Sequence, residues 1–152
     1  MRINYNEDEG YPGQFALWEA NCQRSLRGRR GQAELKQLEA ALLALPQQRL
    51  TKDKLLEGDD VCAIGAYARY KGLDLADYDP EDETDQVGVA AGMPRLVAWL
   101  VVARNDLHCN TVWGIPLVRD MTPEERYVKV LAWVRGQIVP PEKVAYREEI
   151  TR

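Results

Sequence analysis

The 152-residue chain contains little cysteine and no long apolar run. Its three cysteines, Cys22, Cys62 and Cys109, are odd in number and widely spaced, and they form no CxxC pair. The sequence therefore predicts neither a disulfide framework nor a structural zinc site. No apolar run approaches the roughly 20 residues that cross a bilayer, and the polar, acidic first ten residues are unlike a signal peptide. We expect a cytoplasmic protein without a membrane segment.

Histidine is almost absent, since His108 is the only one in the sequence. A Ser-His or Cys-His catalytic pair would have to be built around it. Its neighbour Cys109 would point away from it in an extended segment, and the sequence contains no cofactor fingerprint. We therefore predict a protein that is not an enzyme and that binds no cofactor.

Charge is present in quantity but is unevenly distributed around a net value of −4. Residues 24–54 contain eight Lys or Arg and three acids, whereas residues 57–85 contain ten acids and two bases. The simpler interpretation is that the two segments face each other or face water. The alternative is a dipolar surface that steers a charged partner. Its candidate contact residues are Arg24, Arg27, Arg29, Arg30, Asp79, Glu81 and Glu83.

Two ligand motifs can be compared with these charged segments. Residues 27–32 (RGRRGQ) could contact phosphate, but they lack the GxxxxGK[ST] spacing and a preceding strand, so an exposed turn between two helices explains them equally well. The alternating acids that start at Asp79 resemble a calcium loop. Thr84 and Ala90 occupy the places where that loop requires glycine and glutamate, so no metal site is predicted.

Apolar periodicity predicts a mainly α-helical fold: a compact single-domain bundle of about five to six helices. The predicted helices cover residues 14–26, 32–45, 61–71, 84–91, 94–104 and 122–138. Residues 49–60 are ambiguous between a short helix, a loose hairpin closed at 57–60 and irregular structure, which we favour. Residues 1–12 and 140–152 are expected to be flexible or loosely packed ends of the single domain.

Boundary signals predict where several of these helices begin and end. Asp59 or Asp60 is the predicted N-cap of the third helix. In the acidic connector 74–85 that leads to the fourth helix, the pair Asp79-Pro80 is predicted as an N-cap and first helical residue. Asn105 is the predicted left-handed stop of the fifth helix. The segment 122–125 (TPEE) has a capping threonine, a proline at the first helical position and a glutamate at the third, so it is the clearest helix start in the chain.

Residues 84–104 have the spacing of a helix-turn-helix unit, with Gly92 as the turn glycine. The residues expected to pack its two helices together are Val87, Ala91, Met93, Ala98 and Val101. Arg95 is the only polar side chain of residues 94–103, although a DNA-reading helix needs polar side chains towards the groove. We therefore expect this second helix to be buried.

The four tryptophans are assigned mainly to the core. Trp18, Trp99 and Trp133 lie on apolar helical stripes. Trp113 lies in residues 108–118, which are predicted to form an ordered loop with at most a short extended piece. An exposed Trp113 would be a binding hot spot, and the more common alternative is a ring folded back over the core.

Three blocks, residues 26–45, 60–66 and 122–138, resemble those of small hypothetical proteins encoded by bacteriophages and prophages. The resemblance extends over most of the chain, but no activity comes with it, so it implies no catalytic or binding residue. It implies a bacterial cytoplasmic setting during phage infection. The implied roles are regulation, interference with a host or defence protein, and DNA-linked processing.

Two functional hypotheses follow. The first is a non-enzymatic phage accessory protein that binds another protein, such as a host or defence component, through its charged surfaces. The second is a DNA-binding accessory protein that uses the unit at 84–104 or the basic patch at 24–30.

Overall fold

Six α-helices make up most of the part of the chain that the computed structural model describes, which is residues 12–79, 83–106, 111–112, 115–116 and 121–140. The helices are α1 (Pro12–Arg27), α2 (Arg29–Leu43), α3 (Ala63–Tyr70), α4 (Thr84–Ala90), α5 (Arg95–Asn105) and α6 (Pro123–Gln137). Two antiparallel pairs of short strands complete them: β1 (Leu56–Glu57) with β2 (Asp60–Val61), and β3 (Thr111–Val112) with β4 (Ile115–Pro116). The protein is mainly α-helical, as its periodicity predicts.

Helix α5 lies at the centre of the bundle, where it packs against α1, α3, α4 and α6. Helix α2 packs against α1, α3 and α6 on another side of the core. The buried residues of α5 are Val97, Ala98, Leu100, Val101 and Asn105. The prediction that this helix is buried is therefore confirmed, because a helix with so few polar side chains is stable only among other apolar surfaces.

A single residue, Gly28, separates α1 from α2. The predicted turn between two glycines is wrong, because Gly31 is buried inside α2. A Cβ atom at Gly31 would lie 1.9 Å from the carbonyl oxygen of Ser25, so the two backbones meet more closely than any side chain allows. The predicted stripes are buried at Cys22, Leu26, Leu35, Leu38 and Leu42. The side chains of Phe15 and Trp18 are outside what the structure describes.

Residues 49–60 combine two of the predicted alternatives. Residues 50–55 are irregular, and the chain then forms the hairpin in which Glu57 pairs with Asp60. The turn contains Gly58 at φ +61°, in the left-handed region that favours glycine. Because Asp59 and Asp60 belong to this hairpin, neither is the N-cap of α3, and that prediction is wrong.

The N-cap of α3 is Cys62, whose Sγ accepts a hydrogen bond from the backbone N–H of Gly65 at 3.3 Å. The helix ends before Gly72 at φ +93°, as predicted. Gly65 allows α3 to pack closely against the preceding segment, since a Cβ atom there would lie 2.7 Å from the carbonyl oxygen of Leu55.

The turn between α4 and α5 has the predicted geometry, with Gly92 at φ +111°. All five predicted packing residues are buried: Val87, Ala91, Met93, Ala98 and Val101. The predicted start at Asp79-Pro80 is wrong, because α4 begins at Thr84 with Glu83 as its N-cap. The predicted left-handed stop at Asn105 is also wrong. Asn105 is the last helical residue of α5, and its side chain bonds to backbone groups of other elements.

Helix α6 begins as its sequence predicts, because the Thr122 hydroxyl accepts a hydrogen bond from the backbone N–H of Glu125 at 3.2 Å. The inward residues Tyr127, Val130 and Val134 are buried, and Leu131 and Ile138 are half-buried.

Two tryptophans lie at the edge of the core rather than within it, so their assignment to the core is wrong. Trp99 and Trp133 are half-buried, and an arginine lies over each ring. The guanidinium carbon of Arg95 is 5.0 Å from the Trp99 ring centroid, and that of Arg104 is 5.7 Å from the Trp133 centroid. Each ring therefore keeps one face on the core and presents the other to a cation.

Some predictions fall on residues outside the described part. These predictions concern His108, Trp113 and most of the two ends, 1–12 and 140–152. Of the ends, only Pro12, the first residue of α1, and Pro140, which is exposed, are described. The short extended piece predicted within residues 108–118 is present as β3 and β4, where Thr111 pairs with Pro116 and Val112 with Ile115.

Candidate functional site

Four arginines cluster where α1 meets α2, and we call this cluster the basic corner. Arg24 and Arg27 lie in the last turn of α1, and Arg29 and Arg30 are the first two residues of α2. All four are exposed. Because only Gly28 separates the two helices, the charges that the sequence places within seven residues are also concentrated in space.

The side-chain amide of Gln32 holds this corner in place. Its Nε2 donates to the carbonyl oxygens of Leu26 at 2.7 Å and Gln137 at 2.9 Å, and its Oε1 accepts from the backbone N–H of Val139 at 2.7 Å. The amide thus joins the end of α1, the start of α2 and the end of α6. These contacts fix the relative positions of the three helix ends at this corner.

Arg30 connects the basic corner to the turn between α4 and α5. Its guanidinium donates a hydrogen bond of 3.2 Å to the carbonyl oxygen of Gly92. The exposed side chain of Arg95 follows three residues later, stacked on Trp99, whose indole N–H donates to Asp85 at 2.7 Å. The positive surface therefore continues from the corner to the start of α5.

A polar cluster behind Arg30 explains why this arginine is available to Gly92. Glu34 lies four residues after Arg30, the spacing of an ion pair on a helix. Its Oε2 instead accepts a hydrogen bond from the Tyr67 hydroxyl and lies 3.8 Å from Nζ of Lys71. Burial raises the pKa of the Tyr67 hydroxyl well above its usual range, and the contact with Glu34 raises it further, so this group remains a donor.

The four arginines of the basic corner have no acidic partner among the residues that the structure describes. Arginines elsewhere are paired: Arg49 lies 3.4 Å from both Asp60 and Glu124, and Arg135 lies 3.2 Å from Glu39. The corner is therefore a local concentration of positive charge on a chain with a net charge of −4.

The position of Arg29 and Arg30 also opposes the preference of the helix itself. The first turn of a helix carries a partial positive charge, so acids stabilise it and cations do not. The first turn of α2 contains no acid, and its N-cap Gly28 forms no side-chain hydrogen bond. Residues that break a local rule of stability in this way are typical of functional surfaces.

The helix-turn-helix unit lacks an accessible reading helix. Four other helices contact α5, and its half-exposed side chains include Leu96, Trp99 and Val102, which have no groups suited to the edges of most bases. The unit therefore acts mainly in packing, and its exposed groups include the turn that Arg30 contacts and the side chain of Arg95.

The acidic candidates are only partly within the described residues. Asp79 and Glu83 are exposed, whereas Glu81 and Trp113 lie outside the described part. Glu83 caps α4 and accepts a hydrogen bond from Gln86. The two described acids are both engaged in contacts within the chain.

Cys62 is unsuited to nucleophilic catalysis. Its side chain is buried, and burial raises the pKa of the thiol to about 12, so the reactive thiolate is scarce at neutral pH. A shallow depression lies beside it, lined in part by Lys54, Thr84 and Asp106, and it has essentially no enclosed volume that a water molecule could occupy. It is therefore too small for a small-molecule site.

Among the described residues, no group of His, Cys, Asp and Glu side chains has an arrangement that could hold a metal ion. None of the helices in that part of the chain combines the length and the apolar character needed to span a membrane.

Comparison with known proteins gave no match: no family model fits the chain, and neither the curated proteins nor the solved structures contain a similar one. The site therefore rests on its own geometry. Sequence reasoning found the four arginines, but it missed the contacts of Gln32, Glu34 and Tyr67 beside them. The contacts of these residues join segments far apart in the chain, and no local pattern signals them.

Proposed function

We propose that this protein works by binding an acidic surface of another protein through the basic corner. The observation that carries the proposal is that Arg24, Arg27, Arg29 and Arg30 are exposed and form no ion pair among the described residues. Exposed guanidinium groups bind carboxylates with two parallel hydrogen bonds, which gives both attraction and orientation. The rigid contacts of Gln32 and Arg30 reduce the entropy lost when a partner binds.

A protein partner is favoured over nucleic acid by two observations. Phosphate-driven binding typically uses about 6–10 phosphate contacts, whereas the corner supplies four cations on a chain of net charge −4. The second observation is the packing of α5 among four other helices, which makes this helix poorly suited to read bases. A compact acidic patch on a protein matches the small size of the corner better than a long polyanion does.

The biological role is proposed from the resemblance to proteins of phages and prophages. In that setting the protein is a non-enzymatic accessory protein in the bacterial cytoplasm, and its partner is a host or defence component. The buried, protonated thiol of Cys62 is consistent with a role in binding rather than in nucleophilic catalysis.

Titration of defined polyanions onto matched variants tests the binding surface. The corner variant carries Arg27→Glu and Arg29→Glu, and it keeps Arg30 because of the contact with Gly92. The first substitution opposes the dipole of α1 and the second favours that of α2, so their effects on stability should largely cancel. The control variant carries Arg69→Glu and Lys129→Glu, two exposed cations on α3 and α6 with the same total change of charge.

The probes are fluorescent poly-glutamate, duplex DNA and single-stranded DNA, each at low and at physiological salt. We expect poly-glutamate to bind the parent and the control variant and to bind the corner variant about tenfold more weakly or worse. Tighter binding of either DNA than of poly-glutamate would contradict the proposal and would show that the basic corner binds nucleic acid instead. No binding of any probe at low salt, or equal binding by both variants, would contradict the proposal.

A further inference from the structure

A second surface, on α6, combines exposed apolar and charged side chains on one helical face. Glu124, Val128 and Arg135 are separated by four and seven residues, and Leu131 and Ala132 lie between the last two. These spacings place all five on the same side of an α-helix. The face lies away from the core-facing residues Val130 and Val134.

The face is accessible along its length. The exposed fraction is 59% for the side chain of Glu124, 63% for Val128 and 53% for the side chain of Arg135. Leu43 on the adjacent helix α2 is 53% exposed. The Tyr127 hydroxyl on α6 donates to the carbonyl oxygen of Leu42 on α2. Val128 is the residue after Tyr127, and Leu43 is the residue after Leu42.

The charges and the apolar groups of this face follow a symmetric order. An acid lies at the N-terminal end, a base lies at the C-terminal end, and apolar side chains lie between them. Reversing the direction of the helix exchanges the two charges and leaves the apolar centre in place. Such a surface is complementary to itself when two helices pack antiparallel about a two-fold axis.

We propose that this face of α6 binds a second copy of the chain in an antiparallel arrangement. The midpoint of the pairing lies between residues 129 and 130, so that Glu124 faces Arg135 of the second copy and the same contact occurs again across the axis. Val128 then contacts Leu131 and Ala132 of the second copy, and Leu43 lies at the edge of the interface.

Charge complementarity identifies the second copy as the occupant. Glu124 and Arg135 each have one partner within the chain, Arg49 and Glu39. In an identical copy each also meets the other, which adds two intermolecular ion pairs around an apolar centre. An unrelated acidic or basic partner would satisfy one end of the face and repel the other. One helical face is smaller than a standard interface of about 1,600 Å², so we expect a weak dimer, with Kd on the order of 100 µM.

Sedimentation velocity from roughly 1 µM to 1 mM protein measures this association. The parent should change from monomer to dimer over that range, and Val128→Asp should weaken dimerisation about tenfold or more by burying a charge in the centre. Leu17→Asp is the matched control, because Leu17 on α1 is 61% exposed and lies outside the face. It should dimerise as the parent does. A parent that stays monomeric at 1 mM would overturn the proposal.

A charge exchange distinguishes this interface from contacts within one chain. Glu124→Arg alone and Arg135→Glu alone should each weaken dimerisation, since each replaces two attractions with two repulsions. The double variant should restore it between copies. It cannot restore the intrachain pairs, because position 124 would then face Arg49 and position 135 would face Glu39. Circular dichroism checks that every variant is folded, and a double variant as weak as the single ones would refute the antiparallel pairing.

Discussion

The side-chain carbonyl oxygen of Asn105 accepts a hydrogen bond of 3.0 Å from the backbone N–H of Ala63. On its other side, the amide Nδ2 donates to the carbonyl oxygen of Thr51 at 2.9 Å. One buried amide at the end of α5 thus satisfies a donor at the start of α3 and an acceptor in the irregular segment before β1. The Asn105 side chain therefore ties α5 to both α3 and the segment before β1.

Asn105→Ala should therefore destabilise the fold by about 3 kcal/mol. The substitution leaves two buried backbone groups without their partners, and each such loss costs roughly 1–3 kcal/mol. Urea unfolding followed by circular dichroism measures the change. Asn21→Ala on α1 is the control, because Asn21 is exposed, and it should change the free energy of unfolding by less than about 0.5 kcal/mol. Equal effects of the two substitutions would show that the Asn105 contacts are unimportant for stability.

Gly31→Ala and Gly28→Ala should have very different effects, although only two residues separate these positions. A Cβ atom at Gly31 would overlap the backbone of Ser25, and no side-chain movement can relieve that clash, so we expect a loss of about 3 kcal/mol or more. At Gly28 the nearest atoms would be 3.6 and 3.7 Å away and φ is −67°, so alanine fits. Its effect should stay within about 1 kcal/mol. Thermal unfolding of both variants tests the close joint of α1 and α2, and a stable Gly31→Ala variant would contradict it.

Cys62 should make stability fall with pH in the alkaline range. Its pKa is raised from 9.0 to about 12 in the folded protein, chiefly by burial. Between those two pH values the unfolded chain releases the thiol proton while the folded chain keeps it. The free energy of unfolding is therefore lowered as pH rises, by up to about 1.4 kcal/mol per pH unit. Below pH 9 both states hold the proton, and the contribution of Cys62 no longer changes with pH.

Comparison with Cys62→Ala separates this effect from the titration of other groups. The variant should lose less stability than the parent between pH 9 and pH 11, as measured by urea unfolding at each pH. Parallel curves would mean that the Cys62 thiol is accessible to water and titrates alike in both states. Alkylation of Cys62 in the native protein at pH 8, followed by peptide mapping, gives a second test, and it should be limited by unfolding.

The elements predicted correctly from the sequence are those whose signals lie within a few residues. The helices follow from apolar spacings of three and four, the start of α6 from Thr122 and Glu125, and the turn after α4 from Gly92. Each of these signals acts through contacts within one helical turn or one tight turn. The four arginines of the corner belong to this group, because their clustering is visible in the sequence itself.

Several features that the sequence does not reveal depend on residues far away in the chain. Arg30 and Gly92 are 62 residues apart, and Asn105 lies 42 residues from Ala63 and 54 from Thr51. A local signal at Asn105 suggested a helix stop, but these distant backbone partners keep it helical and buried. Asp59 and Asp60 were plausible caps by composition, and their use in the β1–β2 hairpin removed them from that role.

The most direct test of the central claim is an affinity capture that compares three immobilised baits: the parent, the corner variant and the control variant. A nuclease-treated lysate of infected bacterial host cells is passed over each bait, and the retained proteins are quantified by mass spectrometry. The account predicts at least one protein with an acidic surface that the parent and the control variant retain, that salt releases, and that the corner variant does not retain. Retention of the same proteins in equal amounts by all three baits would contradict it.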